Sequence, residues 1–186
     1  MHETDDELVA LQALLDRSRA RMSAYVATIL TPDRRLSARQ VLTYLQSVKQ
    51  VALATVTAKG RPRVAPMDAL FVHGRFHLAT GEAAARVRHL RRAPHVSVTH
   101  FVGEEIAITA HGTATLLARD HPDVPPLEKI YVEIYGSSPF AWAEGVVLIR
   151  VEADVMYATA PDPTKFPDGT PAPTRSRPRP VLVRKV

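Results

Sequence analysis

Between Val51 and Val98 three short apolar segments and one Arg-studded segment follow one another almost without spacers, VALATVTAKGRPRVAPMDALFVHGRFHLATGEAAARVRHLRRAPHVSV. This run restricts the fold more than any other part of the chain. Lys59-Gly60 ahead of Pro62 and His73-Gly74 ahead of Arg75 carry tight-turn chemistry, so the run predicts a meander of antiparallel strands. Val51 to Thr57 is a continuous apolar run, which predicts a central strand covered on both faces. In the second strand Pro66 cannot donate to a ladder, which predicts a bulge or an edge at that point. The third strand, Arg75 to Ala79, leads into Thr80-Gly81. A helix is expected directly after it, with Ala83, Val87 and Leu90 toward the core and Pro94 marking its end.

The flanking sequence completes the pattern. His95 to Phe101 reads as a fourth strand, Gly103-Glu104 as a turn, and Ile106 to Ala118 as a long bent strand interrupted at Gly112. Asp123-Val124-Pro125-Pro126 opens a short helix to about Tyr135, and Gly145 to Tyr157 forms the last strand. Upstream, Leu8, Leu11, Leu15, Met22, Val26 and Ile29 recur at helical spacing, predicting one amphipathic helix from Glu7 to Leu30 that ends at Thr31-Pro32-Asp33. It packs on its own domain or serves dimer contacts. Ser37 and Gln40 have capping-box spacing and open a second helix through Val41, Leu42, Leu45 and Val48. Many antiparallel strands with few small helices imply a small barrel, because closure removes the edges along which sheets aggregate.

Composition narrows the chemistry. The chain has 186 residues and no Cys, so disulfides, thiolate metal sites and a Cys nucleophile are closed to it, and its length suits one core. No apolar run approaches the roughly 20 residues of a membrane span. The acidic start, Met1 to Glu7, is unlike a secretory signal, so a cytoplasmic location is expected. The net charge of +5 is concentrated in two places. One is the Pro-rich end, with Arg175, Arg177, Arg179, Arg184 and Lys185, which predicts an extended tail. The other is Arg86, Arg88, Arg91 and Arg92 on the helix after Thr80-Gly81. Backbone amides at a helix start, a Thr hydroxyl and a run of Arg form a seat for a phosphate or another anion. The eight His residues show no convincing ligand spacing, and Ser47, Ser97 and Ser137 lack a nucleophile-elbow sequence, so neither a metal site nor a hydrolase is expected. A nucleic-acid binder would use the basic helix and tail, but no aromatic series interleaves with Lys or Arg.

The succession Leu53-Ala54-Thr55-Val56, Gly60-Arg61-Pro62, Val64-Ala65-Pro66-Met67, Gly74-Arg75, Thr80-Gly81 and Arg86 to Val98 resembles the flavin-binding split-barrel superfamily, also called pyridoxamine 5′-phosphate oxidase-like. The likeness spans Ser37 to Tyr157. It implies a mainly β fold with α (α+β): a six-stranded antiparallel split β-barrel with flanking short helices and an N-terminal helix. The chain would then divide into an N-terminal helical extension (1–36), the barrel (37–160) and a Pro/Arg-rich tail (161–186). The resemblance further implies a homodimer holding FMN, or the 5-deazaflavin coenzyme F420, in a groove between subunits, with hydride transfer to a small apolar or aromatic substrate. By that resemblance Arg63, Val64, Ala65 and Pro66 would run along the cofactor ring and ribityl chain, Thr80 and Arg86 would meet the phosphate, and Arg88 and Arg91 would stand behind them. No catalytic side chain is assigned, since the cofactor itself performs the hydride step.

The departures from that pattern are specific. Ala83-Ala84-Ala85 stand where relatives often carry Ser or Arg donors, and Met67-Asp68-Ala69 replace a frequent Trp. The Trp-rich and Arg-His motifs of true pyridoxamine phosphate oxidases are missing, so that activity is not expected. Tyr131, Tyr135 and Trp142 either wall the groove or pack in the core. His89 reads as a packing or capping residue. The longer acidic tail of the deazaflavin coenzyme would suit the additional Arg88, Arg91 and Arg92. A flavin- or haem-binding protein without turnover is the non-enzymatic counterpart.

Overall fold

The structure, a computed structural model, describes residues 2–166 and 168. The positions of the basic tail beyond them lie outside the described residues. Helix α1 (Asp5–Ala20) is N-capped by Thr4 in a capping box with Glu7, and it ends at Arg21. The single helix predicted to Leu30 is therefore two. Ser23 accepts from the Val26 N–H at 3.2 Å and caps α2 (Ala24–Ile29), which buries none of its residues. A hydroxyl that satisfies a new helix start competes with continuation of the old one. Helix α1 packs on its own barrel. Its Ser18, 1% exposed, donates to the Leu14 carbonyl at 2.7 Å and accepts the Met156 N–H at 2.9 Å, tying helix to sheet through one hydroxyl. Helix α3 (Ala38–Leu45) begins at the expected Ser37–Gln40 capping box and buries Val41, Leu42 and Leu45.

The strands are β1 (Lys49–Val56), β2 (Pro62–Val72), β3 (Arg75–Gly81), β4 (His95–Val102), β5 (Ile106–Leu117) and β6 (Val146–Thr159), with α4 (Ala85–Arg92) after β3 and α5 (Val124–Tyr135) after β5. They close into an antiparallel barrel in the order β1-β2-β3-β6-β5-β4. In β1 buried Val51, Leu53 and Thr55 alternate with half-exposed Ala52, Ala54 and Val56, so one face is covered rather than both. The run looks continuous because the small Ala52 and Ala54 occupy its outer face, not because a second layer covers it. At Pro66 the register between β1 and β2 is unbroken, whereas β2 meets β3 only through Leu70–Val72. Pro66 thus marks an edge and not a bulge. The bulge lies between β5 and β6 at His111/Gly112, where a Cβ on residue 112 would come 1.9 Å from the Glu152 carbonyl oxygen. Only glycine fits that approach.

The barrel interior joins Leu53, Phe76, Leu78, Val98, Ile108 and Ile149 to the α1 and α3 leucines. A second cluster under α5 contains Leu70, Leu117, Leu127, Tyr131 and Leu148 on the outer sheet face. At the α3 end His100 donates from Nδ1 to the Gln50 carbonyl at 2.7 Å, which leaves Nε2 to accept from the Tyr44 hydroxyl at 2.8 Å. Burial holds the His100 imidazole below its ordinary pKa, in keeping with a neutral ring.

Candidate functional site

The β3-to-α4 connection turns at one end of the barrel. Thr80, 7% exposed, lies on the last rungs of β3 opposite Val147, and Gly81 pairs with Val146. The chain does not enter the helix at once. The Glu82 N–H donates to the Gly145 carbonyl at 2.6 Å and the Ala84 N–H returns to the Gly81 carbonyl at 3.0 Å. These bonds hold residues 82–84 in a turn, so α4 starts at Ala85, and Ala83 is exposed outside the helix rather than packed in the core. Val87 and Leu90 do face the core, as predicted. The N-cap, Ala84, has no side-chain acceptor to offer, so the first turn of α4 presents N–H groups without a side-chain cap.

The arginines of α4 lean back toward that turn, the direction helical side chains favour. Arg86 Nη1 donates to Thr80 Oγ1 at 2.6 Å, and Arg88 Nη1 donates to the Ala83 carbonyl at 3.0 Å. Arg91 Nη2 pairs with the Glu82 carboxylate. Of the three, Arg86 and Arg88 rest on neutral oxygens, while Arg91 is ion-paired with a carboxylate.

Arg63, Val64, Ala65 and Pro66 occupy the first half of β2, paired to β1 through Thr55, Ala54, Leu53 and Ala52. Beyond β1 this half has no partner in β3, so backbone groups on that edge are open. The structure links this segment to α4 by a route absent from the linear reading. Thr55, the cross-strand partner of Arg63, hydrogen-bonds His89 Nδ1 through its hydroxyl at 3.0 Å, and His89 lies one turn beyond Arg86. Thr55 carries no sequence signal for such a role. Glu82 does, as an acidic residue four positions ahead of Arg86, the first arginine of α4. Outward from β2, Val64, Ala54, Ser97 and His111 form one row across four strands, and no helix core covers Val64, which is 67% exposed. Phe101, 62% exposed, lies on β4 in the same outward phase.

Other candidates have structural roles. Tyr135 packs against Trp142 at 4.9 Å and against Tyr131 at 5.8 Å, tying α5 to the segment that follows it. Trp142 Nε1 donates to Ser137 Oγ at 2.8 Å. A cleft of about 480 Å³ opens on the opposite face of β3, lined by His77, Arg75, Arg150, Asp123 and Glu152. Its charges are already matched: Arg75 pairs with Glu152, and Arg150 with both Asp123 and Glu152. Among the described residues no group of three or more His, Asp or Glu is placed to hold a metal ion, and no helix is long and apolar enough to cross a membrane.

An uncapped helix start, a buried hydroxyl and a guanidinium that rests on that hydroxyl lie together, next to an open strand edge and an exposed stretch of the outer sheet face. The family model described as pyridoxamine 5′-phosphate oxidase matches residues 37–160. No curated protein matches the sequence. Among solved structures the fold is similar to that of a conserved hypothetical protein from Mycobacterium tuberculosis, at 17% identity and a TM-score of 0.61 over 78% of this chain and 98% of that one. It is also similar to HutZ, the heme storage protein from Vibrio cholerae, at 20% identity and TM-score 0.59 over 67% and 95%. A FAD-binding protein from Mesorhizobium loti matches at 17% identity and TM-score 0.55 over 67% and 93%. At these identities the likeness is one of fold.

Proposed function

Because the chain belongs to the pyridoxamine 5′-phosphate oxidase family, we propose that it binds a flavin-type cofactor, FMN in preference to F420, and acts as an oxidoreductase on a small apolar or aromatic substrate. The observation that carries this reading is the Arg86–Thr80 pair at the uncapped start of α4. The donor set fits a phosphate monoester. It offers a guanidinium that rests on a neutral hydroxyl, the hydroxyl itself, and first-turn N–H groups in the favourable end of the helix dipole. The triple alanine removes side-chain donors from this cradle, but the backbone donors survive that loss.

When bound, a reduced cofactor of this class supplies a hydride. The protein's own residues bind and orient. Arg86 and Thr80 hold the anionic end, and the open backbone edge of Arg63 to Pro66 accompanies the polar chain of the cofactor. The outer face around Val64, Ala54 and Phe101 excludes water from an apolar partner. That face also suits a second copy of the chain, so the reading includes a homodimer that completes the groove, working in the cytoplasm.

Titration of apo-protein with FMN and with F420, followed by fluorescence quenching, tests the assignment. Saturation at one site per subunit is expected with FMN. Uptake of neither cofactor would remove the enzyme reading, and a Soret band in freshly purified protein would move it to haem binding.

A further inference from the structure

We propose that Glu82 sets which flavin-type cofactor the site accepts, by holding Arg91 out of the anion-binding set so that the cradle matches a single phosphate monoester and not a longer polyanionic tail. This rests on the cofactor reading above and specifies its selectivity. By residue type alone Arg88, Arg91 and Arg92 behind Arg86 would welcome additional negative charge. In the fold the arginines are not equivalent. Arg86 and Arg88 donate to the neutral oxygens of Thr80 and Ala83, whereas Arg91 donates to the Glu82 carboxylate. A neutral acceptor leaves the cationic field in place, and a carboxylate offsets part of it.

Glu82 is not a casual surface acid. Its N–H is bonded to the Gly145 carbonyl at 2.6 Å, directly after the Gly81–Val146 rung that ends the sheet. Its Cβ lies 3.9 Å from where a Cβ on Gly145 would stand, so it sits close beside the residue that leads into β6. The carboxylate is thereby presented to α4. It stands just before the helix N-terminus, where a negative charge is itself stabilised by the dipole, so it also competes with an incoming anion for that field. A second or third negative group on a ligand would meet Glu82 and an Arg91 already paired with it where it would otherwise find an unpaired guanidinium.

The test is a set of equilibrium titrations with riboflavin, FMN, FAD and F420 on apo-protein of the natural sequence, of Glu82→Gln and of the double variant Glu82→Gln/Arg91→Gln. Thermal melts confirm that each variant is folded. Since the pair is exposed, Glu82→Gln is expected to improve F420 and FAD relative to FMN by about fivefold, with riboflavin unchanged. The improvement is expected to vanish in the double variant. An unchanged ratio of F420 to FMN affinity in Glu82→Gln, or a gain that persists without Arg91, overturns the role of Glu82. If the natural sequence takes up none of the four, the cofactor reading itself fails together with this inference.

Discussion

Arg86 reaches back across the β3–α4 turn to put Nη1 2.6 Å from Thr80 Oγ1, so a guanidinium on a helix and a buried hydroxyl on a strand end share one small volume. Neither group has a carboxylate in that contact. Removing the cation by Arg86→Ala is expected to weaken FMN by about 1.5–3 kcal/mol, roughly ten- to a hundredfold, the scale of a charge-assisted hydrogen bond. Riboflavin, which lacks the phosphate, should be nearly indifferent to the change. Fluorescence titration of both ligands checks it, and equal losses for the two would place the phosphate elsewhere.

Ser18 serves two partners with one buried hydroxyl, donating to Leu14 and accepting from Met156. Ser18→Ala leaves the Met156 N–H unpaired in the interior and is expected to cost about 1–3 kcal/mol in a denaturant melt. A change below a few tenths would mean that α1 contributes through its leucines alone.

Gly112 faces the Glu152 carbonyl so closely that even a methyl group would sit 1.9 Å from its oxygen. The obstacle is backbone and not a flexible side chain. Gly112→Ala should destabilise by about 3 kcal/mol or more, because the β5–β6 ladder must shift. A melting temperature equal to that of the natural chain would contradict the bulge geometry.

His77 is 5% exposed and its imidazole is pushed down to about 3, first by burial and then by the cationic Arg150. The folded value lies below the unfolded one, so acid protonates the unfolded chain first. This contribution to stability is full above about pH 6.5 and is lost as pH falls toward 3, at up to about 1.4 kcal/mol per unit. His77→Gln should flatten that part of the stability profile, measured by urea melts between pH 4 and 7. An equal slope in both proteins would assign the acid sensitivity to other groups.

Val64 and Phe101 are apolar and exposed on the uncovered outer face. If that face joins two copies, Val64→Glu shifts the protein toward monomer in light scattering at micromolar concentration. A dimer of undiminished strength would place the interface elsewhere, and a monomeric natural protein would remove the homodimer from the reading.

The amino-acid sequence by itself determined the strand and turn order from Lys49 to Val72, the Ser37–Gln40 cap, the break at Gly112 and the Arg-rich helix after Thr80-Gly81. These depend on properties that act within a few residues: turn dihedrals, caps, and the absence of an N–H in proline. The tertiary structure decided which arginine meets a carboxylate, because whether Arg91 meets water or Glu82 depends on where the Gly145 carbonyl pins the intervening turn. It also decided that Thr55 and His89 join β1 to α4, and that Pro66 lies on an open edge. Register and long-range hydrogen bonds set those outcomes, and a linear pattern with period two or 3.6 carries no information about which strand end a helix will face.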